Sequence, residues 1–185
     1  MNIDCDLTMG WNDKLCALSV GGIKRDLIVP IEKLDFSTLN IANNEITTLA
    51  LKDAGDGGYM YELEQNLSSA TYPPVRSLEN GSVLSNIELN IVLNNDTKEL
   101  RAELFRLARN TSVHFVQKSN KEWIALGLHE GLRMNDGGEG GTGVEKTDRN
   151  GYSLTFVGQE MEAVPNIDEA LINALLKDES PSSSI

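Results

Sequence analysis

The sequence predicts an α+β domain that is mainly β: a β-sandwich or small barrel with a packed central helix and a short C-terminal helix. Two observations lead to this fold class. Several short runs alternate apolar with polar residues, which is the period of a strand with one buried face. Two other runs have helical spacing, one in the middle of the chain and one near its end. A length of 185 residues suits one domain, and we assign residues 1–178 to it and 179–185 to a polar C-terminal tail.

The clearest strand pattern runs from Asn86 to Asn94, where every second residue is apolar. Tyr59 to Glu64 has the same period, and there we predict that Tyr59, Tyr61 and Leu63 form the buried face. Further strands are predicted over residues 26–31, 46–52, 112–117, 122–128 and 152–158.

Turn residues separate these strands. Asn80-Gly81 has the residue types of a type I′ turn and predicts a hairpin within Ser77 to Leu93. Lys118 to Lys121 is predicted to connect a second hairpin, and Asp53 to Gly58 a further turn. Pro73-Pro74 should end any strand there, because proline cannot donate to a ladder.

Two helices complete the prediction. The first should run from about Thr97 to Arg109, with Asp96 as its cap and Glu99 reaching back in a capping box. The second is predicted over Asp168 to Lys177. The central helix should pack its leucines on the sheet and cover one open flank.

Charge and cysteine content exclude several classes of function. The net charge of -12 argues against a surface that binds nucleic-acid phosphates, although like charge would keep a passing polyanion mobile. Cys5 and Cys16 form no C-x-x-C motif, and His114 and His129 belong to no ligand cluster, so neither zinc nor a disulfide framework is expected. No signal peptide or membrane span is recognisable. We therefore expect a soluble product from a reducing intracellular compartment, without a membrane anchor.

The glycine-rich stretch from Asp136 to Gly151 contains a literal G-x-G-x-x-G at Gly138, Gly140 and Gly143. A dinucleotide-binding fingerprint requires a helix immediately after these glycines. Here a predicted strand follows at Tyr152, and Glu139 would lie against the phosphates. We therefore predict a loop and no bound cofactor.

Other candidate sites favour a structural role. Asp53 to Glu64 imitates a calcium loop, but glycines occupy its third and fifth positions. Glu160 and Glu162 should form a solvated rim, and each histidine is expected to be structural or at the surface. No serine or cysteine has a nucleophile elbow around it. We predict no enzymatic activity and no catalytic or metal-binding residues. For Trp11, a subunit interface and local packing both remain open.

The order of features from the central helix onward resembles tail-tube-like structural proteins of tailed bacteriophages, especially those of Bacteroidetes hosts, including crAss-like phages. The resemblance covers the second half of the chain and rests on the segments EWIALGLHEGL and DRNGYSLTFVGQEMEAVP. The matching residues are Trp123, Gly127, Gly131, Asp148, Arg149, Asn150, Gly151, Tyr152, Leu154, Phe156, Gly158, Glu160 and Pro165.

The resemblance implies a virion component, synthesised in the host cytoplasm, that assembles into rings, commonly hexamers, forming or lining the tail channel. Its partners would be other copies of itself and neighbouring tail proteins, and DNA would pass without specific binding. The glycine stretch would then be an assembly arm that reaches an adjacent subunit or ring. The hypothesised interface comprises Trp11, Gly137, Gly138, Gly140, Gly141, Gly143, Asp148, Arg149 and Asn150.

Two alternatives remain open. Within the same class, the protein would be a tail adaptor, ring or hub protein of a short-tailed phage. From a different class, it would be a small β-sandwich ligand-binding module, for example for carbohydrate. Clustered surface aromatics would favour the binding module, but only 5% of the residues are aromatic and most lie in strand patterns.

Overall fold

The computed structural model describes residues 21–52, 60–62, 67–72, 77–79, 82–94, 96–141 and 150–179. Strands dominate this part of the chain, and two α-helices accompany them. The elements are β1 (Ile23–Pro30), β2 (Leu34–Ala42), β3 (Glu45–Leu51), β4 (Tyr61–Glu62), β5 (Leu67–Thr71), β6 (Ser77–Glu79), β7 (Ser82–Asn94), α1 (Lys98–Leu107), β8 (Ser112–Lys118), β9 (Trp123–Leu126), β10 (Arg133–Gly141), β11 (Gly151–Glu160), β12 (Asn166–Ile167) and α2 (Glu169–Glu179).

The strands form two sheets. The seven-stranded sheet has the order β2-β3-β12-β9-β8-β1-β4, and the five-stranded sheet has the order β10-β11-β7-β5, with β6 also paired to β7. Strand pairs are antiparallel except β12 with β3. The mainly β, α+β prediction is therefore confirmed. The arrangement is sandwich-like, and in the described part of the chain neither sheet closes into a barrel.

Two apolar cores lie on the two faces of the seven-stranded sheet. The inter-sheet core joins alternate residues of β7 and β11 to Val116, Ile124 and Leu126 of the seven-stranded sheet. Leu104 of α1 packs at this core. The outer core lies on the other face and includes Leu27, Val29 and Phe115, together with side chains from α2. The seven-stranded sheet is therefore covered on both faces.

The strand predictions with strict alternation are confirmed. Ile87, Leu89, Ile91 and Leu93 are all buried on one face of β7, and Leu154 and Phe156 are buried on β11. The predicted hairpins also form: β6 pairs with β7 through Glu79 and Ser82, and β8 pairs with β9. The turn residues Asn80 and Gly81 lie outside the described residues, as does the predicted turn 53–58.

The predicted face of the segment around Tyr61 is wrong. Met60 is buried, whereas Tyr61 is 54% exposed on the two-residue strand β4. Alternation determines the spacing of a buried face, but Met60 and Tyr61 are both apolar enough to occupy it. Strands β2 and β5 were not predicted, because neither shows a clear two-residue hydrophobic period.

Both predicted helices are confirmed, but the cap of α1 differs from the prediction. The side chain of Thr97 accepts a hydrogen bond from the Leu100 amide at 3.2 Å, so Thr97 is the N-cap. Asp96 instead accepts hydrogen bonds from Arg101 at 2.6 Å and from the Tyr152 hydroxyl at 2.7 Å. The Asp96 carboxylate therefore ties the start of α1 to β11. Neither described helix has the length and apolar character needed to cross a membrane.

Candidate functional site: an open sheet edge and a buried polar chain

The glycine stretch that was predicted to be a loop is in part a strand. β10 includes Gly137, Gly138, Gly140 and Gly141, and it pairs with β11 on both sides of a register shift between Asn135 and Glu139. Glycine has a low strand propensity, but β11 supplies hydrogen-bonding partners that outweigh it. The loop prediction is therefore wrong for residues 136–141, and residues 142–149 lie outside the described part of the chain.

β10 is the edge strand of the five-stranded sheet. On one side it pairs with β11, and on its other side no strand of the described chain pairs with it. β10 has nine residues, and its ladder with β11 is interrupted between Asn135 and Glu139. The unpaired backbone N–H and C=O groups of such an edge can accept a strand from another chain.

The strand next to this edge begins at a glycine that its packing requires. A Cβ atom built on Gly151 would lie 2.0 Å from the Leu93 carbonyl oxygen. Any side chain would therefore push β11 away from β7. The preceding residue, Asn150, is exposed, and it is the one member of the predicted Asp148-Arg149-Asn150 interface group that the structure describes.

The outward face of the five-stranded sheet is polar and is satisfied by its own hydrogen bonds. Thr155 donates to Asn90 at 2.7 Å, Asn90 donates to Glu88 at 2.9 Å, and Gln159 donates to Asn86 at 3.1 Å. These side chains come from β7 and β11, the two central strands. The face is rich in amide and hydroxyl groups.

A chain of three polar side chains lies inside the molecule. Asp26 and His114 are fully buried and Ser112 is nearly so. His114 Nδ1 lies 3.0 Å from Asp26 Oδ2, and His114 Nε2 lies 3.0 Å from Ser112 Oγ. Because a carboxylate only accepts, Nδ1–H donates to Asp26, and Nε2 can then accept from the Ser112 hydroxyl. The imidazole also packs against the Phe156 ring, with 4.6 Å between centroids.

This connectivity is that of a Ser-His-Asp triad, but its location does not suit catalysis. A nucleophile must reach a substrate carbonyl, and Ser112 has 1% of its surface accessible. In this fold the chain instead links β1 to β8 within the inter-sheet core. His114 lies in a strand, as predicted, whereas Asp26 and Ser112 were not predicted as site residues. The available signal was the charged residue Asp26 immediately before the apolar run Leu27 to Val29.

A second buried carboxylate holds a turn beside the sheet edge. Glu160 accepts hydrogen bonds from the backbone amides of His129 at 3.0 Å and Glu130 at 3.3 Å. The turn needs glycine at both ends, because Gly127 and Gly131 have φ angles of 70° and 75°. The solvated-rim prediction is therefore wrong for Glu160, because the turn folds over its side chain. It is correct for Glu162, which is exposed and lies 3.3 Å from His129.

Charged pairs occur mainly at the surface. Arg25 donates to Glu62 through two nitrogens, at 2.7 and 2.9 Å, and this contact lowers the pKa of Glu62 and raises that of Arg25. The Arg25 guanidinium also lies 5.5 Å from the centroid of the Trp123 ring. Trp123 is buried as predicted, and its indole N–H has no hydrogen-bond partner among the described residues.

The nine residues of the hypothesised subunit interface divide into two groups. Trp11, Gly143, Asp148 and Arg149 lie outside the described residues. The other five are brought together at or beside the β10–β11 edge. Within the described ranges, no group of three or more His, Cys, Asp and Glu side chains is arranged to hold a metal ion.

Comparison with known family models, with curated protein sequences and with solved structures found no match to this chain.

Proposed function

We propose that this protein is a non-enzymatic structural subunit of a phage tail, which assembles into rings that form or line the channel for DNA passage. The observation that carries the proposal is the open edge of β10. A nine-residue strand paired on one side is suited to pairing with a neighbouring subunit. A ring built head to tail uses two different surfaces on each subunit and closes without two-fold symmetry.

The location in a tail rests on the resemblance of the second half of the chain to tail-tube-like proteins. The described residues include all of the matching residues except Asp148 and Arg149. Trp123 begins β9, Gly127 and Gly131 bound the turn held by Glu160, and Gly151 begins β11. The same surfaces would serve a tail adaptor, ring or hub protein of a short-tailed phage.

The charge of the chain supports passage of DNA over binding of DNA. A net charge of -12 repels phosphates and supplies no basic groove to displace their counterions. A ligand-binding module gains no comparable support. Among the described residues, the exposed aromatic side chains of Phe36, Tyr61 and Phe105 lie on β2, β4 and α1, and none of these elements belongs to the five-stranded sheet.

Electron microscopy of the purified protein and of virions tests the proposal. We expect closed rings with a central channel, commonly of six subunits, and the same rings within the virion tail. A protein that stays monomeric at high concentration and is absent from particles would overturn the proposal.

A lysine at the sheet edge tests the role of β10. Asn135→Lys adds a charge to β10, and we expect it to reduce ring formation without lowering the thermal unfolding midpoint, because edge lysines oppose strand pairing. Asn86→Lys is the matched control: Asn86 is also exposed but lies on the central strand β7. Equal loss of assembly in both variants would contradict assembly through the β10 edge.

A further inference from the structure

The second half of α1 carries an exposed aromatic residue under a guanidinium group. Phe105 is 63% exposed, and the Arg109 guanidinium carbon lies 4.4 Å from the centroid of its ring. Aromatic residues and arginine are the types most enriched at the centres of protein interfaces. The stacking also holds both side chains in one arrangement before a partner arrives. We call Phe105 and Arg109 the α1 patch.

The α1 patch lies in a segment with a slight excess of basic residues, in a protein that is acidic as a whole. Residues 96–110 contain four basic and three acidic side chains, in a chain of net charge -12. Arg101 and Arg106 form ion pairs with Asp96 and Glu103, at 2.6 and 2.7 Å. Within the described residues, no carboxylate lies at ion-pair distance from Arg109. Its charge is therefore available to a partner.

A cleft with an excess of negative charge lies elsewhere on the surface, and we call it the acidic hollow. This cleft of about 300 Å³ is lined by four carboxylates, Glu45, Glu122, Asp168 and Glu169, against one lysine, Lys121. Glu122 pairs with Lys118, and Asp168 accepts from the Ala170 amide at the start of α2. Among the described residues, no basic group lies at ion-pair distance from Glu45 or Glu169, although the charge of Glu169 interacts at longer range with Arg25.

The patch and the hollow lie at opposite ends of one strand. Arg109 is in the turn that leads into β8, whereas Lys121 and Glu122 follow the end of β8. A strand of seven residues is about 20 Å long. The two surfaces are therefore separated within one molecule, and contact between them requires a second copy of the chain.

We propose that the α1 patch of one subunit docks into the acidic hollow of the next copy of this chain. The proposal rests on the self-assembly proposed above and names a second, specific contact within it. Arg109 lies against Glu45 and Glu169 of the neighbour, and Phe105 packs at the rim of the cleft. Because the two surfaces differ, the contact repeats head to tail, and it closes into a ring when successive copies are related by rotation about a common axis. Charge complementarity also discourages patch-to-patch and hollow-to-hollow pairing.

Charge exchange between two variants tests the contact. The patch variant is Arg109→Glu, and the hollow variant combines Glu45→Lys with Glu169→Lys. Each should associate at least about tenfold more weakly than wild type in analytical ultracentrifugation, because like charges then meet. An equimolar mixture of the two should recover assembly, because each variant offers the surface that complements the other.

Controls separate this contact from folding and from the edge pairing of β10. Lys98→Glu reverses a charge at the other end of α1, about 15 Å away, and should leave assembly unchanged. Phe105→Ala weakens association without changing charge, and thermal unfolding midpoints show whether each variant is folded. Assembly of the patch variant at the wild-type level would overturn the docking contact and leave the ring proposal standing. Failure of the wild-type protein to assemble would overturn both.

Discussion

Arg25 and Asp26 are neighbours on β1, but their side chains lie on opposite faces of the seven-stranded sheet in different surroundings. Asp26 is fully buried in the inter-sheet core and is held by His114. Arg25 lies at the rim of the outer core and pairs with Glu62, and their side chains are 36% and 43% exposed. The two polar pairs have similar distances between their hydrogen-bonding atoms, and they therefore differ mainly in solvent exposure.

The difference shows why the number of polar contacts is a poor measure of stability. Water screens an exposed pair and also solvates each partner when the pair breaks, so its net contribution is small. A buried pair has no such alternative, so losing one partner leaves the other desolvated. The Asp26–His114–Ser112 chain should therefore be far more sensitive to single substitutions than the Arg25–Glu62 pair.

The largest effect is expected at Asp26. Asp26→Ala should lower the free energy of unfolding by about 2–4 kcal/mol, because it leaves the His114 N–H buried without an acceptor and opens a cavity at a fully buried position. Urea unfolding followed by circular dichroism measures the loss. A triple variant, Asp26→Leu with His114→Leu and Ser112→Ala, should lose less than Asp26→Ala alone, since it removes the polar chain as a unit. If Asp26→Ala lowers the free energy of unfolding no more than Arg25→Ala does, the buried pair is not more sensitive to substitution than the exposed pair.

An intermediate effect is expected at the second buried carboxylate. Glu160→Gln keeps the size of the side chain but removes the charge from two hydrogen bonds to backbone amides, and should cost about 1–3 kcal/mol of unfolding free energy. Glu162→Gln, two residues along the chain, is the matched control and should change it by about 0.5 kcal/mol or less. Thermal or urea unfolding measures the unfolding free energy of both variants. Equal decreases in the two variants would show that burial of Glu160 adds nothing to stability.

The smallest effect is expected at Glu62 and depends on pH. Arg25 lowers the pKa of Glu62 in the folded state, so the pair stabilises the fold above the unfolded-state pKa of about 4.3 and loses this contribution as pH falls through the folded-state pKa. Because both side chains are more than a third exposed, the contribution is about 0.2–1 kcal/mol. Glu62→Gln should thus be less stable than wild type near pH 7 and equally stable in acid. A difference that persisted in acid would assign the effect to packing.

Periodic segments were predictable because their signal is local. The alternation in β7 and β11 reports a buried face within each segment, and the leucine spacing of α1 does the same for a helix. The cap of α1 was misassigned by one residue because Asp96 and Thr97 are both good caps. Tyr152 decides between them, since its hydroxyl donates to Asp96 from a strand 56 residues away.

The candidate site was less predictable because it depends on partners distant in the chain. Gly137 to Gly141 has the composition of a loop, but Glu139, Gly140 and Gly141 pair with β11 and so continue the strand. Asp26 and His114 are 88 residues apart and meet only because β1 pairs with β8. Glu160 has the composition of a surface residue and is buried because the turn from Gly127 to Gly131 folds over it.

The sequence by itself determined the fold class, the positions of the periodic strands and helices, and the acidic charge. These follow from hydrophobic period, turn chemistry and residue counts, which need no knowledge of distant neighbours. The tertiary structure was needed to show that part of the glycine stretch lies on a strand with one partner in the described chain, that Asp26, His114 and Ser112 connect, and that the α1 patch and the acidic hollow lie at opposite ends of β8. Each of these arrangements depends on strand pairing and on side-chain burial. Strand pairing and burial are set by contacts between residues that are distant in the chain.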